Sequence, residues 1–493
     1  MGRDVASTTF TREDRQRHRE KVRRCLDVLA RMLSDFRFEQ ERPLTGLEIE
    51  LNLVDTDYAP AMRNDQVLEL IENPAFQTEL GQFNLETNLM PRRIAGAGLA
   101  SYEEDVRATL DVADDRAVKA DSHLVMVGIL PTLRQGDCGS ETFSDSPRYR
   151  LLNEQILAAR GEDVEINIAG ADHLRMRSDT IMPEAACTSV QLHLQTSPDT
   201  FADYWNAAQA IASLQLAVGA NSPFLFGRQL WQETRIALFE QAIDTRPEEL
   251  RAQGVRPRVW FGERWATSIF DLFEENVRYF PALLPILEEE DPVEVLARGA
   301  TPQLAELCLH NGTIYRWNRP VYDVVDGRPH LRVENRVLPA GPTTIDVVAN
   351  AAFYFGLVAH LAEADRPIWS QMPLRTAAEN LHAAARHGID AKVYWPGVGE
   401  IFATELVLRR LLPRAAAGLD SWGVDPSDRD RLLGVIERRC VAGRNGASWQ
   451  VETVRRLERD RNLDRPAALR EMLRAYCEHM RSGDPVHTWP IAA

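Results

Sequence analysis

Lysine is almost missing from this chain of 493 residues: it occurs only at Lys21, Lys119 and Lys392, so nearly all positive charge is arginine. Any phosphate or carboxylate clamp must therefore be built mainly from planar guanidinium forks and not from ammonium point charges. Positive charge is also outweighed, with a formal net charge of -16, which argues against nonspecific nucleic-acid binding because a phosphate backbone needs a basic face. The six cysteines (Cys25, Cys138, Cys187, Cys308, Cys440 and Cys477) are scattered and form no CxxC pair, so they read as reduced thiols and not as a disulfide scaffold. No apolar run is seen near the ~20 residues that a membrane span needs, and the N-terminus is too charged for a signal-peptide core. The expected location is the cytoplasm. The sequence contains no GxxxxGK[ST], no HExxH and no GxSxG, and Gly96-Ala97-Gly98 lacks the third glycine of a dinucleotide fingerprint. P-loop, zincin and serine-hydrolase chemistry are thereby set aside.

What is present is an ordinary globular composition, 44% hydrophobic and 26% charged, in a chain long enough for two or three domains or one enlarged enzyme domain. Apolar residues at Val22, Cys25, Leu26, Leu29, Met32 and Leu33 have helical spacing, and Thr11 is placed as an N-cap for a helix over 11 to about 38. Leu47, Ile49, Leu51 and Leu53 alternate with Gly46, Glu48, Glu50 and Asn52, which is a period-two strand with one acidic face. The alternation returns at 82–89, 188–195 and 331–338. Helices are expected at 98–120, 148–160 and 343–363, with a buried strand at 123–130 and a long helix opened by Ser197-Pro198. From about 399 onward strand signals stop, and arginine-rich helices broken at Gly418, Gly423, Pro426 and Gly443 are expected.

The polar faces of these strands carry Glu48 and Glu50, then Glu86, then Gln191 and His193, then Arg332, Glu334 and Arg336. Residues two apart on a strand point the same way, roughly 6.5 Å apart. If the strands share one sheet, the acids crowd one surface, and their desolvation costs several kcal/mol each unless cations compensate. Mg²⁺ with a polyphosphate suits such hard oxygen donors, and Arg332 and Arg336 would contact phosphate or a substrate carboxylate through paired hydrogen bonds. An antiparallel sheet with one solvated face shows the same alternation without any function. His382 and His387, five apart on a helix, do not share a face well and read as surface or core residues.

Taken in order, these segments resemble the glutamate-cysteine ligase family. Gly46-Leu47-Glu48-Ile49-Glu50 is similar to its first-strand GxExE, Glu79-Leu80-Gly81-Gln82-Phe83-Asn84-Leu85-Glu86 to its second glutamate segment, and Thr188-Ser189-Val190-Gln191-Leu192-His193 to its T-S-x-Q-x-H/N strand. Gly219 to Phe224 resembles its ANSP turn, and Arg332-Val333-Glu334-Asn335-Arg336 its ExR strand before a P-x-GPT turn. The resemblance spans about residues 44 to 365. It implies an α+β fold: a glutamine-synthetase-like catalytic domain with a mainly antiparallel curved sheet over 41–398, an N-terminal helix within 1–40 and a helical C-terminal region over 399–493, for which no counterpart is assigned.

Carried over, the resemblance implies Glu48, Glu50, Glu79, Glu86 and Glu334 as magnesium ligands, and Gln191 and His193 beside the metals or nucleotide. Arg336 would neutralise the transferring phosphate, with Glu334 beside it as a catalytic residue. Arg316, Arg319 and Arg332 would lie on the nucleotide side, and Arg235, in Trp231-Gln232-Glu233-Thr234-Arg235, would hold a substrate carboxylate. Asn88 stands where some relatives carry serine, so the amine pocket would differ from a cysteine site. The implied activity is ATP- and Mg²⁺-dependent joining of a carboxylate, with glutamate as donor, to cysteine or another amine through an acyl phosphate. Expected partners are those small molecules, with no nucleic acid and no membrane; homo-oligomerisation stays open. Two rivals remain at this level: a guanidino kinase of the same fold type, and a non-catalytic nucleotide- or metabolite-binding protein.

Overall fold

The structure, a computed structural model, describes residues 10–35, 37–39 and 44–491. The remaining positions of the predicted N-terminal segment, and the last two residues of the chain, lie outside the described residues. Helix α1 spans Arg12–Ser34, four residues short of its predicted end. Thr11 caps it reciprocally: the Asp14 amide donates to the Thr11 hydroxyl (3.1 Å), and the Asp14 carboxylate accepts from the Thr11 amide (2.9 Å), which satisfies two donors that helix geometry leaves over. Its buried stripe of His18, Val22, Cys25, Leu26, Val28, Leu29 and Met32 packs against short helices at Ile269–Tyr279, Pro292–Ala297 and Ala305–Gly312.

The centre of the molecule is one seven-stranded sheet whose paired strands all run antiparallel. Its strands are β1 (Thr45–Val54), β2 (Phe76–Thr78), β3 (Asn84–Arg92), β4 (His123–Val125), β5 (Val190–Thr196), β6 (Asn318–Val325) and β7 (Arg328–Asn335). The order is β6-β7-β5-β1-β3-β2, and β4 pairs with the end of β1. The chain is thus a mixed helix and antiparallel-sheet protein. The apolar members of each alternation, among them Leu47, Ile49, Leu51, Leu85, Leu192, Leu194, Leu331 and Val333, are buried, apart from Leu89, which is partly buried. Behind them lie two almost wholly buried helices, α2 (Phe201–Gly219) and α3 (Thr344–Ala362).

The helix α3 corrects the reading that no apolar run nears membrane-spanning length, since it is long and apolar enough by length and composition. Its burial is 83% over that stretch, which makes it the central helix of the core. The strand expected at 123–130 ends at Val125. Beyond it the carbonyl of Val127 is taken by the Asn52 amide (3.2 Å), and that of Gly128 by the Thr188 amide (2.9 Å), so these buried groups are satisfied without a ladder. Pro198 lies ahead of α2 in a turn closed by Ser197 and Thr200 (2.9 Å between hydroxyls), not in the first helical turn.

The C-terminal region is helical after a hairpin, Lys392–Trp395 with Gly399–Phe402, which carries strand structure slightly past the expected limit. Helices α4 (Leu412–Ser421), α5 (Pro426–Ala442), α6 (Gly446–Asp460) and α7 (Arg465–Ser482) follow. Gly423 and Gly443 do end helices with positive φ, and Pro426 starts one. Gly418, expected as a break, sits inside α4 instead. A Cβ there would lie 1.9 Å from the carbonyl oxygen of Gly356 in α3, so the glycine serves close helix packing.

Candidate active site

The strand register turns the separate polar faces into rows across one surface. Glu50 pairs with Glu86, which in turn pairs with Gln77. One step along, Glu48 stands between Asn88 and Gln191. A further step brings His193 beside Glu334, and Glu334 beside Arg319. His193 also faces Gly46 across β1, where a Cβ would approach the histidine Cβ to 3.2 Å; the glycine leaves room for the imidazole to lean along β1 and put Nε2 3.0 Å from Glu48.

This surface has two electrostatic halves. In the first, Glu334 is clamped between Arg319 Nη2 (2.8 Å) and Arg336 Nη1 (2.7 Å). Against its burial, Arg319 and then Arg336 hold its carboxyl well below the usual carboxylate range. Glu48 is likewise held low against burial, chiefly by His193. Arg336 Nη1 also donates to Gln191 Oε1 at 2.6 Å, while among the described residues its Nε and Nη2 have no hydrogen-bond partner. Arg332 donates to His193 Nδ1 (3.1 Å) and Asp323 (2.9 Å), and so orients the histidine that pairs with Glu48.

The second half has carboxylates with far less compensation. Burial pushes Glu50 up to about 7, with Arg336 pulling the other way and Glu86 adding to the rise. Glu79 is raised well above the usual range by burial, then by Glu86 and Glu50, and Glu86 is raised by burial and Glu48. Glu50, Glu79 and Glu86 each offer an oxygen within 4.8 Å of the others. Amides fix two of them: Ser189 N (2.6 Å) and Gln191 Nε2 (2.9 Å) donate to Glu50, and Gln77 (2.5 Å) and Asn88 (3.0 Å) donate to one oxygen of Glu86. Three converging carboxylates, oriented but short of positive charge, are a donor set that fits a hard divalent cation such as Mg²⁺.

Next to this triad a small cavity, about 60 Å³, is lined by Glu50, Glu79, Glu184, Cys187, Arg235 and Trp317, with further residues around them. Arg235 is buried there, donating to Glu233 (3.1 Å) and to the backbone carbonyls of Arg336 (3.4 Å) and Val337. Glu184, raised to about 8 by burial and then Glu50, is a residue the sequence reading missed. It lies in a turn of 3-10 helix, Met182–Ala186, where no strand alternation marks it. The one signal available was its place a few residues ahead of the Thr188 strand.

One expected residue is directed elsewhere. Arg316 is buried in the opposite direction, bonded to Glu275 (3.0 Å) and Asn276 (3.1 Å) and lying 4.7 Å over the Trp260 ring. Its two-residue strand, Tyr315–Arg316, turns Tyr315 toward Phe239 (ring centroids 5.4 Å), a wall of the cavity, so successive side chains oppose and Arg316 cannot reach the acidic face. Asn88 is on that face, but holds Glu86.

Comparison with known proteins accords with this geometry. No curated protein matches the chain. Among solved structures it is similar to the glutamate–cysteine ligase of Francisella tularensis in complex with AMP, with 14% identity, a TM-score of 0.55, and coverage of 91% of this chain and 90% of that one. It is also similar to a bifunctional glutathione synthetase from Pasteurella multocida, with 13% identity and a TM-score of 0.51, covering 93% of this chain but 55% of that one. At these identities the likeness speaks for the fold alone. The family comparison goes further, because its match runs from residue 44 to 479 and so takes in most of the C-terminal helices that the sequence resemblance left out. On that match the chain belongs to glutamate-cysteine ligase family 2.

Proposed function

We propose that this protein is an ATP-dependent carboxylate–amine ligase with a glutamine-synthetase-like catalytic sheet, acting in the cytoplasm on glutamate as acyl donor and on cysteine or another amine as acceptor. The observation that carries the reading is the division of one sheet face into a half where Glu48 and Glu334 are paired with His193, Arg319 and Arg336, and a half where Glu50, Glu79 and Glu86 converge with too little positive charge. A bound nucleotide triphosphate with divalent cations is the ligand that suits both halves.

In this reading a donor carboxylate attacks the γ-phosphate of ATP, giving an acyl phosphate and ADP, and an amine then displaces phosphate. Glu50, Glu79 and Glu86 would hold one magnesium, and Glu48 and Glu334 border the phosphates. A magnesium held there would supply positive charge to the phosphate oxygens. Arg336, pinned through Nη1 by Glu334 and Gln191, turns its remaining nitrogens to the transferring phosphoryl group, where positioned positive charge is the main catalytic task. Arg319 and Arg332 keep Glu334 and His193 in place, and Arg235 offers its remaining N–H groups to a substrate carboxylate.

The test is a product screen by mass spectrometry with Mg-ATP, glutamate and a panel of amines. The reading expects ADP and an amide whose formation requires both substrates. ADP formed with a single guanidino acceptor and a stable phosphoguanidine would make the protein a kinase, and Mg-ATP binding without turnover on any substrate would make it a binding protein.

A further inference from the structure

A cavity of about 640 Å³ shares no lining residue with the catalytic one. Five segments far apart in the chain close it: the turn after β1, residues 131–135, the strand His173–Ser178, residues 226–228 and the first turns of α7. Its size suits a small organic ligand. Four guanidinium groups stand on its wall, from Arg134, Arg175, Arg228 and Arg470, against two carboxylates, Asp55 and Asp57. This reverses the balance of the chain, which has 57 basic and 73 acidic residues. Asp55 is engaged within its own turn, where Oδ1 accepts from the amides of Asp57 and Ala59 (2.9 Å each). Arg175 pairs with Glu165 (3.3 Å), but among the described residues Arg134, Arg228 and Arg470 make no ion pair. Two aromatic residues of the same wall, Tyr58 and Phe226, hold left-handed backbone, with φ of 61° and 48°, a conformation that is costly for a bulky side chain. Phe226 begins the two-residue turn between the strands Phe224–Leu225 and Arg228–Gln229, with Gly227 after it at φ 76°, a place where asparagine or glycine is the ordinary choice. Tyr58 is fixed by the Thr132 hydroxyl, which donates to its carbonyl (2.6 Å). Both aromatic residues are half-buried, and the buried Leu133, Leu174 and Leu469 complete the apolar part of the wall.

We propose that this cavity is a second ligand site, for a small organic anion that carries a phosphate group and a planar ring. A carboxylate is served by one guanidinium fork. Three unpaired forks from three separate segments instead match a phosphate, which has three terminal oxygens and up to two negative charges. The ring of the ligand packs on Tyr58 and Phe226, since aromatic faces prefer flat partners. A solvated arginine surface would explain the guanidinium groups but not two left-handed aromatic residues on the wall they share; a ligand that uses both rings explains why that backbone is kept. None of these residues belongs to the acidic sheet face, so the proposal stands independently of the ligase reading.

The experiment is isothermal titration calorimetry of the full chain with phenyl phosphate, inorganic phosphate and phenylacetate. Phenyl phosphate is expected to bind at least about tenfold tighter than inorganic phosphate, which lacks the ring, and than phenylacetate, which lacks the phosphate. Arg134→Gln and Arg470→Gln change side chains that hold no ion pair, so the melting temperature should stay while the affinity for phenyl phosphate falls about tenfold or more in each, the scale of one charge-assisted hydrogen bond. Phe226→Asn gives the turn a residue suited to its φ; it is expected to keep or raise the melting temperature and to bring the affinity for phenyl phosphate down to that for inorganic phosphate. No saturable binding of phenyl phosphate, or binding that Arg134→Gln and Arg470→Gln leave unchanged, would overturn the site. Phenylacetate bound as tightly as phenyl phosphate, or a ring preference that survives Phe226→Asn, would overturn the ligand class assigned to it.

Discussion

Glu86 offers the cleanest single-residue test of the cation site. Both of its amide donors, Gln77 and Asn88, use the same oxygen, so Glu86→Gln keeps that acceptor and removes only charge. Turnover is expected to fall at least about 100-fold, the scale of removing one preorganised charge-stabilising group, with circular dichroism and melting temperature nearly unchanged and with partial recovery at raised magnesium. Activity close to wild type at low magnesium would remove Glu86 from the metal site. Glu334→Gln is a different case, because it sets an amide NH₂ against one of two guanidinium groups 2.7–2.8 Å away, and should cost stability as well as rate. Arg336→Lys should lose about 100-fold in kcat, since one ammonium cannot hold Glu334 and Gln191 and also meet a phosphoryl group; steady-state kinetics that match wild type would give Arg336 a purely structural role.

At the scale of elements, the docking of α1 is sensitive to acid. His18 on its buried face and His310 on the helix Ala305–Gly312 are both lowered to about 4, in each case first by burial. Among the described residues neither ring nitrogen of His18 has a hydrogen-bond partner, and His310 Nε2 is 3.0 Å from the carbonyl of Asn276. Because both values lie below the ordinary histidine value of 6.5, protons bind the unfolded chain more tightly. The stability held by the neutral rings is therefore complete above pH 6.5 and lost as pH falls through 4, by ~3 kcal/mol per histidine at pH 4. Urea unfolding between pH 7 and 4.5 should show this loss, and His18→Phe should flatten it; parallel curves for the two proteins would exclude His18 as a source. Contact between α3 and α4 is equally specific. Gly418→Ala puts a methyl where the Gly356 carbonyl lies, and forcing the helices apart should cost about 1–3 kcal/mol, measurable as a lower denaturant midpoint.

At the scale of the molecule, the C-terminal helices are tied into the layer behind the sheet. Arg439 of α5 is buried and donates to Asp346 (2.8 Å) and Asn350 (2.7 Å) of α3 and to the Val218 carbonyl of α2 (3.0 Å). Tyr476 of α7 accepts from Asn221 (2.8 Å) and donates to the Met126 carbonyl (2.7 Å). Arg439→Met leaves Asp346 charged and buried without its cation, which is worth about 3–5 kcal/mol. Denaturant unfolding should show that loss, while activity per folded molecule stays near wild type because Arg439 does not touch the acidic face; an unchanged midpoint would mean that Asp346 is satisfied by Thr343 and Val486 alone.

The local alternation of side chains was readable in the sequence, because period two depends only on neighbouring residues: Glu48 with Glu50, Gln191 with His193, and Arg332 with Glu334 and Arg336 each mark one face of a strand. The N-cap at Thr11 and the glycine stops at Gly423 and Gly443 were readable for the same reason. The sequence could not say which rows meet, since register is decided by pairing between segments more than a hundred residues apart, such as Glu334 opposite His193. Nor could it show that Arg316 turns away from the acids, because a two-residue strand has no alternation to read. Glu184 belongs to the tertiary structure alone: its turn carries no periodic signal, and only the packing of that turn against the sheet gives its carboxylate a cavity to face.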